Sequence, residues 1–303
     1  MAKSKSFFGL RSGSTKTLTF QVNQGRQITK DRVYDVKNPR TISQMDGRCL
    51  MATASAAYAH MKEIVDHSFE GVTYGQNNMS EFIRRNYALL KAAENANPQA
   101  FGYNAYRDRA LYGGKYQISA GTAPSVFPNA SMDASGGSTG TSCQCVIPAG
   151  GSTSTVTVAQ FCQANGLVNG DMATFICLYP LADGNGCGFA FIRLTVLDAD
   201  NTATLSAGLQ TAFRVESNKG TPTLSASGNN VVMFVVAADG AKAESTTSAG
   251  CAIIRSRKSA NGWLRSTEYL APESTKNLGP TYAAAVATFP IGGSYVLNGG
   301  AIQ

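Results

Sequence analysis

The chain has 303 residues, 43% of them hydrophobic and only 15% charged, with a net charge of +7. That length holds two domains, or one sandwich-sized domain with a sizeable appendage, and the low charge leaves a surface built largely from Ser, Thr, Asn, Gln and Gly. No run approaches the roughly 18 apolar residues of a membrane span, and the opening MAKSKSFFGLRSGS has basic residues without the apolar stretch of a signal peptide, so synthesis in the cytoplasm and no membrane partner are expected.

The charge is segregated. Ten basic and three acidic residues fall between Met1 and Cys49, so that segment carries the whole excess and the remainder sums to zero. A basic segment on a neutral body is the footprint of an arm that meets phosphate or an acidic partner surface. Solvated charge on a hairpin edge, which guards against aggregation, is the plainer alternative.

Residues 15–36 alternate apolar and polar through Leu18, Phe20, Val22, Ile28 and Val33 around Gly25, which predicts a β-hairpin. The contact residues expected here are Lys3, Lys5, Arg11, Lys16, Arg26, Lys30 and Arg32. After Asn38-Pro39, the Thr41/Gln44 capping-box spacing starts a helix that keeps Met45, Met51, Ala54, Tyr58, Met61, Ile64, Val65 and Phe69 on one side until Glu70-Gly71. A second helix is predicted from Ser80 through Phe82, Ile83, Tyr87, Leu90 and Ala93 to the stop at Asn95-Ala-Asn-Pro98, forming an αα-hairpin with the first.

The Gly/Ser/Thr-rich stretch 116–151 is expected to be an irregular connector. Beyond it, β-branched and aromatic runs at 173–181, 188–197, 212–216, 230–238, 251–257 and 263–270 are separated by turn signals at Asp183-Gly-Asn-Gly186, Asn218-Lys-Gly220, Asp239-Gly240 and Asn261-Gly262. Without helical segments between them, these predict an antiparallel β-sandwich of immunoglobulin-like type over 152–271. The expected fold class is α+β: a basic β-hairpin plus helical hairpin over 1–115, the connector, the sandwich, and an apolar C-terminal arm over 272–303. Val286, Phe289, Ile291, Tyr295 and Leu297 in that arm need a surface, either this chain's own sheet or a neighbouring subunit.

Seven cysteines, odd in number and without a C-x-x-C pair, point to a reducing compartment. Cys143 and Cys145 would share a strand face, where packing outweighs metal capture. His60 and His67, two helical turns apart, are too distant to chelate one ion. Asp198-x-Asp200 reads as a turn rather than a calcium loop. Tyr103, Tyr106, Arg107 and Arg109 interleave bases and rings as single-strand binders do, though packing of a connector explains them as well. Nucleophile, zinc, Walker and dinucleotide motifs are missing from the sequence, so no catalytic residue, metal, cofactor or small-molecule substrate is expected.

The opening MAKSKSFFGLRSGSTKTLTFQV, with Asn38-Pro39-Arg40-Thr41, Gln44 and Arg48, resembles an uncharacterised family of gut Bacteroidota and their phages and prophages. The resemblance covers about the first 115 residues. Gly47 stands where relatives carry a bulkier polar residue. The family brings no activity, but it implies a phage context.

The leading expectation is therefore a bacteriophage virion structural protein, a capsid, decoration or tail-associated subunit, that is made in the host cytoplasm and assembles with its own copies or other virion proteins. The alternative is a protein that binds nucleic acid without reading sequence, through the N-terminal cations. A surface adhesin or carbohydrate-binding module would suit the sandwich but not the missing export signal.

Overall fold

The computed structural model describes residues 3–4, 11–23, 26–32, 40–72, 75–96, 115–137, 140–180, 187–237, 250–260, 262–270 and 301–302. The fold is mixed α+β with antiparallel sheets. It divides into two compact units, Met1–Thr41 with Gly293–Gln303, and Ile42–Gly292. The helical hairpin, expected to belong with the basic segment, falls in the second unit.

The first unit holds a four-stranded antiparallel sheet of β1 (Lys3–Ser4), β2 (Arg11–Ser14), β3 (Leu18–Asn23) and β4 (Arg26–Asp31), in that order. The predicted hairpin is β3–β4, closing between Asn23 and Arg26. β5 (Arg40–Thr41) pairs with the strand Ala301–Ile302, the last in the chain (β17).

The second unit opens with α1 (Ile42–Val65) and α2 (Gly75–Ala96). Along α1, Leu50, Ala54, Ala57, Tyr58, Met61, Ile64 and Val65 recur every three or four residues and are buried, whereas Met51, expected on that face, is exposed. The helix stops before the predicted Glu70-Gly71 because His67 adopts a positive φ of 62°, which breaks the helical path. His67 is thus not helical, and Phe69 reaches the core from a bridge to Ala120 instead. α2 begins five residues ahead of the predicted Ser80 and buries Phe82, Asn86 and Leu90, with Phe82 lying 5.7 Å from Tyr58 of α1 between ring centroids.

The expected connector 116–151 is a correction: it carries β6 (Tyr116–Ser119), β7 (Ser131–Gly137) and β8 (Gly140–Pro148). Ala134 in β7 and Cys143, Cys145 and Ile147 in β8 are buried, the last three at every second position, so the period-2 pattern is present within the Ser-, Thr- and Gly-rich stretch. Two helices then interrupt the strands, contrary to expectation: α3 (Val158–Ala164) lies ahead of β9 (Met172–Pro180) and β10 (Cys187–Val196), and α4 (Leu205–Ala212) follows them. Thr157 and Gln160 cap α3 reciprocally: the Gln160 amide donates to Thr157 Oγ1 at 3.2 Å and the Thr157 amide donates to Gln160 Oε1 at 3.0 Å. Thr157→Ala is expected to cost about 1 kcal/mol, read as a melting temperature lower by roughly 2–4 °C; an unchanged melting curve would mean the cap is dispensable.

The remaining strands are β11 (Phe213–Ser217), β12 (Thr223–Ser227), β13 (Asn230–Ala237), β14 (Gly250–Ser259), β15 (Gly262–Arg265) and β16 (Glu268–Leu270). One sheet runs β11-β10-β9-β14-β15 and the other β12-β13-β8-β7, while β16 pairs with β6. The turn expected at Asn261-Gly262 sits one residue earlier, because Ser259 pairs with Gly262. The signals at 183–186 and 239–240 lie outside the described residues.

Alternation along β9 sorts the unit into three layers. Ala173, Phe175, Cys177 and Tyr179 enter a core shared with β8 and β13, whereas Ile176 and Leu178 face α1, with Phe191, Ala252 and Ile254 beside them. The five-stranded sheet is therefore buried on both faces, one by the second sheet and one by the helices. Among the described residues no helix is long and apolar enough to cross a membrane.

Candidate functional site

In the N-terminal sheet, Leu18, Phe20 and Val22 alternate along β3 and pair with Asp31, Thr29 and Gln27, so they share one face. Gln21 and Thr19 pair with Ile28 and Lys30 on the other. Val22 is 37% exposed and Ile28 44% exposed, and neither they nor Leu18 and Phe20 join either core among the described residues. Among the described residues, this sheet therefore carries apolar side chains that belong to neither core.

The sequence-derived contact residues are partly gathered here. Lys3, Arg11, Arg26 and Lys30 stand in β1, β2 and β4, Lys16 is exposed in the turn before β3, and Arg32 follows β4 with its guanidinium donating to the Thr15 carbonyl at 3.2 Å. Lys5 lies outside the described residues, as do Tyr103, Tyr106, Arg107, Arg109 and the arm residues Val286, Phe289, Ile291, Tyr295 and Leu297.

In the larger unit, Cys143, Cys145, Cys162 and Cys177 are buried thiols. Burial pushes Cys162 up to about 12 and Cys145 higher still, and hydrogen bonds with Cys143 and Cys251 raise Cys177 further. Such thiols pack as small apolar groups. No group of three His, Cys, Asp or Glu side chains among the described residues is arranged to hold a metal. The Asp198 carboxylate accepts from the Asp200 amide at 3.3 Å, which is a turn. His60 meets Phe189 edge-on at 5.5 Å.

A groove of about 740 Å³ opens where the end of α1 overhangs the five-stranded sheet. Its floor comes from register. Arg193 pairs with Thr174, and Ser256 pairs with both Met172 and Arg265, placing these side chains in two adjacent rows on the helix-facing side. Trp263, two residues before Arg265 on β15, shares that side and is 40% exposed. Glu63, Asp66 and Glu70, from α1 and the turn after it, form the opposite wall.

Arg265 is only 8% exposed. Its Nε donates to the His67 carbonyl at 3.0 Å and its guanidinium lies 5.1 Å from the Trp263 ring centroid, yet Nη1 is buried without a hydrogen-bond partner among the described residues. Burial and the Arg193 charge beside it push Arg265 down to about 10, against a smaller opposing pull from Glu70. Glu70 is engaged elsewhere, accepting from the Thr122 amide at 2.8 Å and the Thr122 hydroxyl at 3.2 Å. Gly121 permits this closure, because a Cβ there would stand 2.4 Å from the Arg265 carbonyl oxygen. Sequence reasoning missed the groove; the exposed lone tryptophan two residues from an arginine on a strand was its only local signal.

Comparison with protein-family profiles, with curated proteins and with solved structures returned no match to this chain.

Proposed function

We propose that the chain is a non-enzymatic structural subunit of a bacteriophage particle, and that its N-terminal sheet is the surface through which copies of the chain assemble. The observation that carries this reading is the apolar row of Leu18, Phe20 and Val22, half-buried at the first two and exposed at the third, which joins neither core among the described residues. A small sheet needs a covered face to persist in water, and a second copy of the same sheet supplies a complementary one. The low-charge body, read as an immunoglobulin-like sandwich from its two antiparallel sheets around one core, offers further lateral surface. The phage setting rests on the N-terminal resemblance.

Sedimentation velocity and electron microscopy of the purified chain test the proposal. Concentration-dependent assembly into defined particles is expected, and the double variant Phe20→Lys, Val22→Lys should remain monomeric with the circular dichroism of its larger unit intact. A wild-type chain that stays monomeric at high concentration would refute it.

Exposed Lys30 on β4 and Lys16 in the turn between β2 and β3 favour a second reading, contact with nucleic-acid phosphates. Six such contacts would weaken binding about a thousandfold between about 50 and 200 mM salt. Salt-insensitive retention on nucleic acid would remove this reading.

A further inference from the structure

The groove beneath α1 holds two arginines, and one of them, Arg265, has a buried Nη1 with no hydrogen-bond partner among the described residues. A guanidinium buried with a free N–H is costly unless something accepts from it. The nearby carboxylates do not: Glu70 is held by Thr122, and Asp66 accepts from the Tyr58 hydroxyl. Arg193, half-buried on β10, three strands from β15 in the sheet order, spends its Nε on a long 3.5 Å contact to Thr174 Oγ1 and adds a second positive charge to the same floor. Together they call for an anion from outside the chain, and a planar guanidinium matches a carboxylate well.

The opposite wall narrows the choice. Glu63, Asp66 and Glu70 repel a dianion such as phosphate, whereas the exposed Glu63 and the lone pairs that Thr122 and Tyr58 leave on Glu70 and Asp66 can accept hydrogen bonds from hydroxyl groups. Trp263, 40% exposed at the mouth, presents a broad apolar ring beside them. A ligand that has one carboxylate, several hydroxyls and an apolar ring face satisfies all three features at once.

We propose that this groove binds an acidic sugar, a pyranose bearing a carboxylate, with Arg265 and Arg193 holding the carboxylate, Trp263 against the ring and the acidic wall accepting from hydroxyls. The site is independent of the assembly reading and would stand if that reading failed.

Trp263 is the only tryptophan in the chain, so fluorescence excited selectively at tryptophan, beyond the tyrosine absorption, reports this site. Titration of the full chain with D-glucuronate and with N-acetylneuraminate should give a saturable change with at least one of them, and D-glucose a much weaker response. Arg265→Gln and Arg193→Gln should each weaken the response at least about tenfold, the loss expected for one charge-assisted hydrogen bond. Circular dichroism checks folding, and if Arg265→Gln does not fold, the less buried Arg193→Gln decides. No response to either acid, an equal response to glucose, an equal response to acetate or glutamate, or tighter binding of inorganic phosphate would each overturn the proposal.

Discussion

Asp171→Ala should lower the unfolding free energy by about 3–5 kcal/mol, the range for leaving a buried charge without its partner. Asp171 is 1% exposed, and its carboxylate takes Arg255 Nη2 at 2.7 Å and both Arg257 Nε at 2.9 Å and Nη2 at 2.8 Å. The Val168 amide also donates to it at 3.2 Å, and the Gly166 carbonyl accepts from both arginines. This network ties the turn ahead of β9 to β14. Removing the carboxylate strands Arg255, only 2% exposed, with a buried guanidinium whose Nε already has no partner among the described residues. Urea unfolding of both proteins measures the effect, and a loss under about 1 kcal/mol, the surface-pair range, would show that the arginines find other acceptors.

The same residue predicts an acid dependence. Burial alone would raise Asp171, but the hydrogen bonds from Arg257 and Arg255 outweigh it and hold the carboxyl below its ordinary value. A depressed carboxyl contributes stability that is fully present above its unfolded value, near pH 3.9, and lost as pH falls toward the folded one. Wild-type stability should therefore drop faster than that of Asp171→Ala below about pH 4.

The second large effect is expected at Asn86, which is fully buried in α2. Its side-chain amide acts as a missing strand: Nδ2 donates to the Gln117 carbonyl at 3.0 Å, and Oδ1 accepts from the Gln117 amide at 2.6 Å. β6 pairs with β16 on one side only, so its other edge depends on this contact. Asn86→Leu keeps the volume but orphans two buried backbone groups, at about 1–3 kcal/mol each. A total loss of roughly 2–6 kcal/mol is expected in urea unfolding, along with faster hydrogen exchange at the Gln117 amide. Slow exchange at that amide in the variant would place its protection elsewhere.

Much of the secondary structure was legible because it is written in short periods. The three-to-four spacing of Leu50 to Val65 and the alternation through 173–181 and 230–238 both survive folding, since each element buries the face its own pattern marks. β7 and β8 were misread because serines, threonines and glycines outnumber the apolar residues there, although Cys143, Cys145 and Ile147 keep strict alternation. α3 carried a readable capping box at Thr157 and Gln160, but seven residues are too few to show a helical period.

The amino-acid order by itself determined the segregated positive charge, the helical pair, most strands of the body and the two-faced character of β3, because each depends on neighbours within a few residues. Only the tertiary structure decided that the five-stranded sheet is covered on both faces, that Asp171 meets Arg255 and Arg257, and that Arg193, Arg265 and Trp263 share one groove. Those juxtapositions depend on strand register across separations of tens of residues, and register follows from which faces find a common core, a property no local window contains.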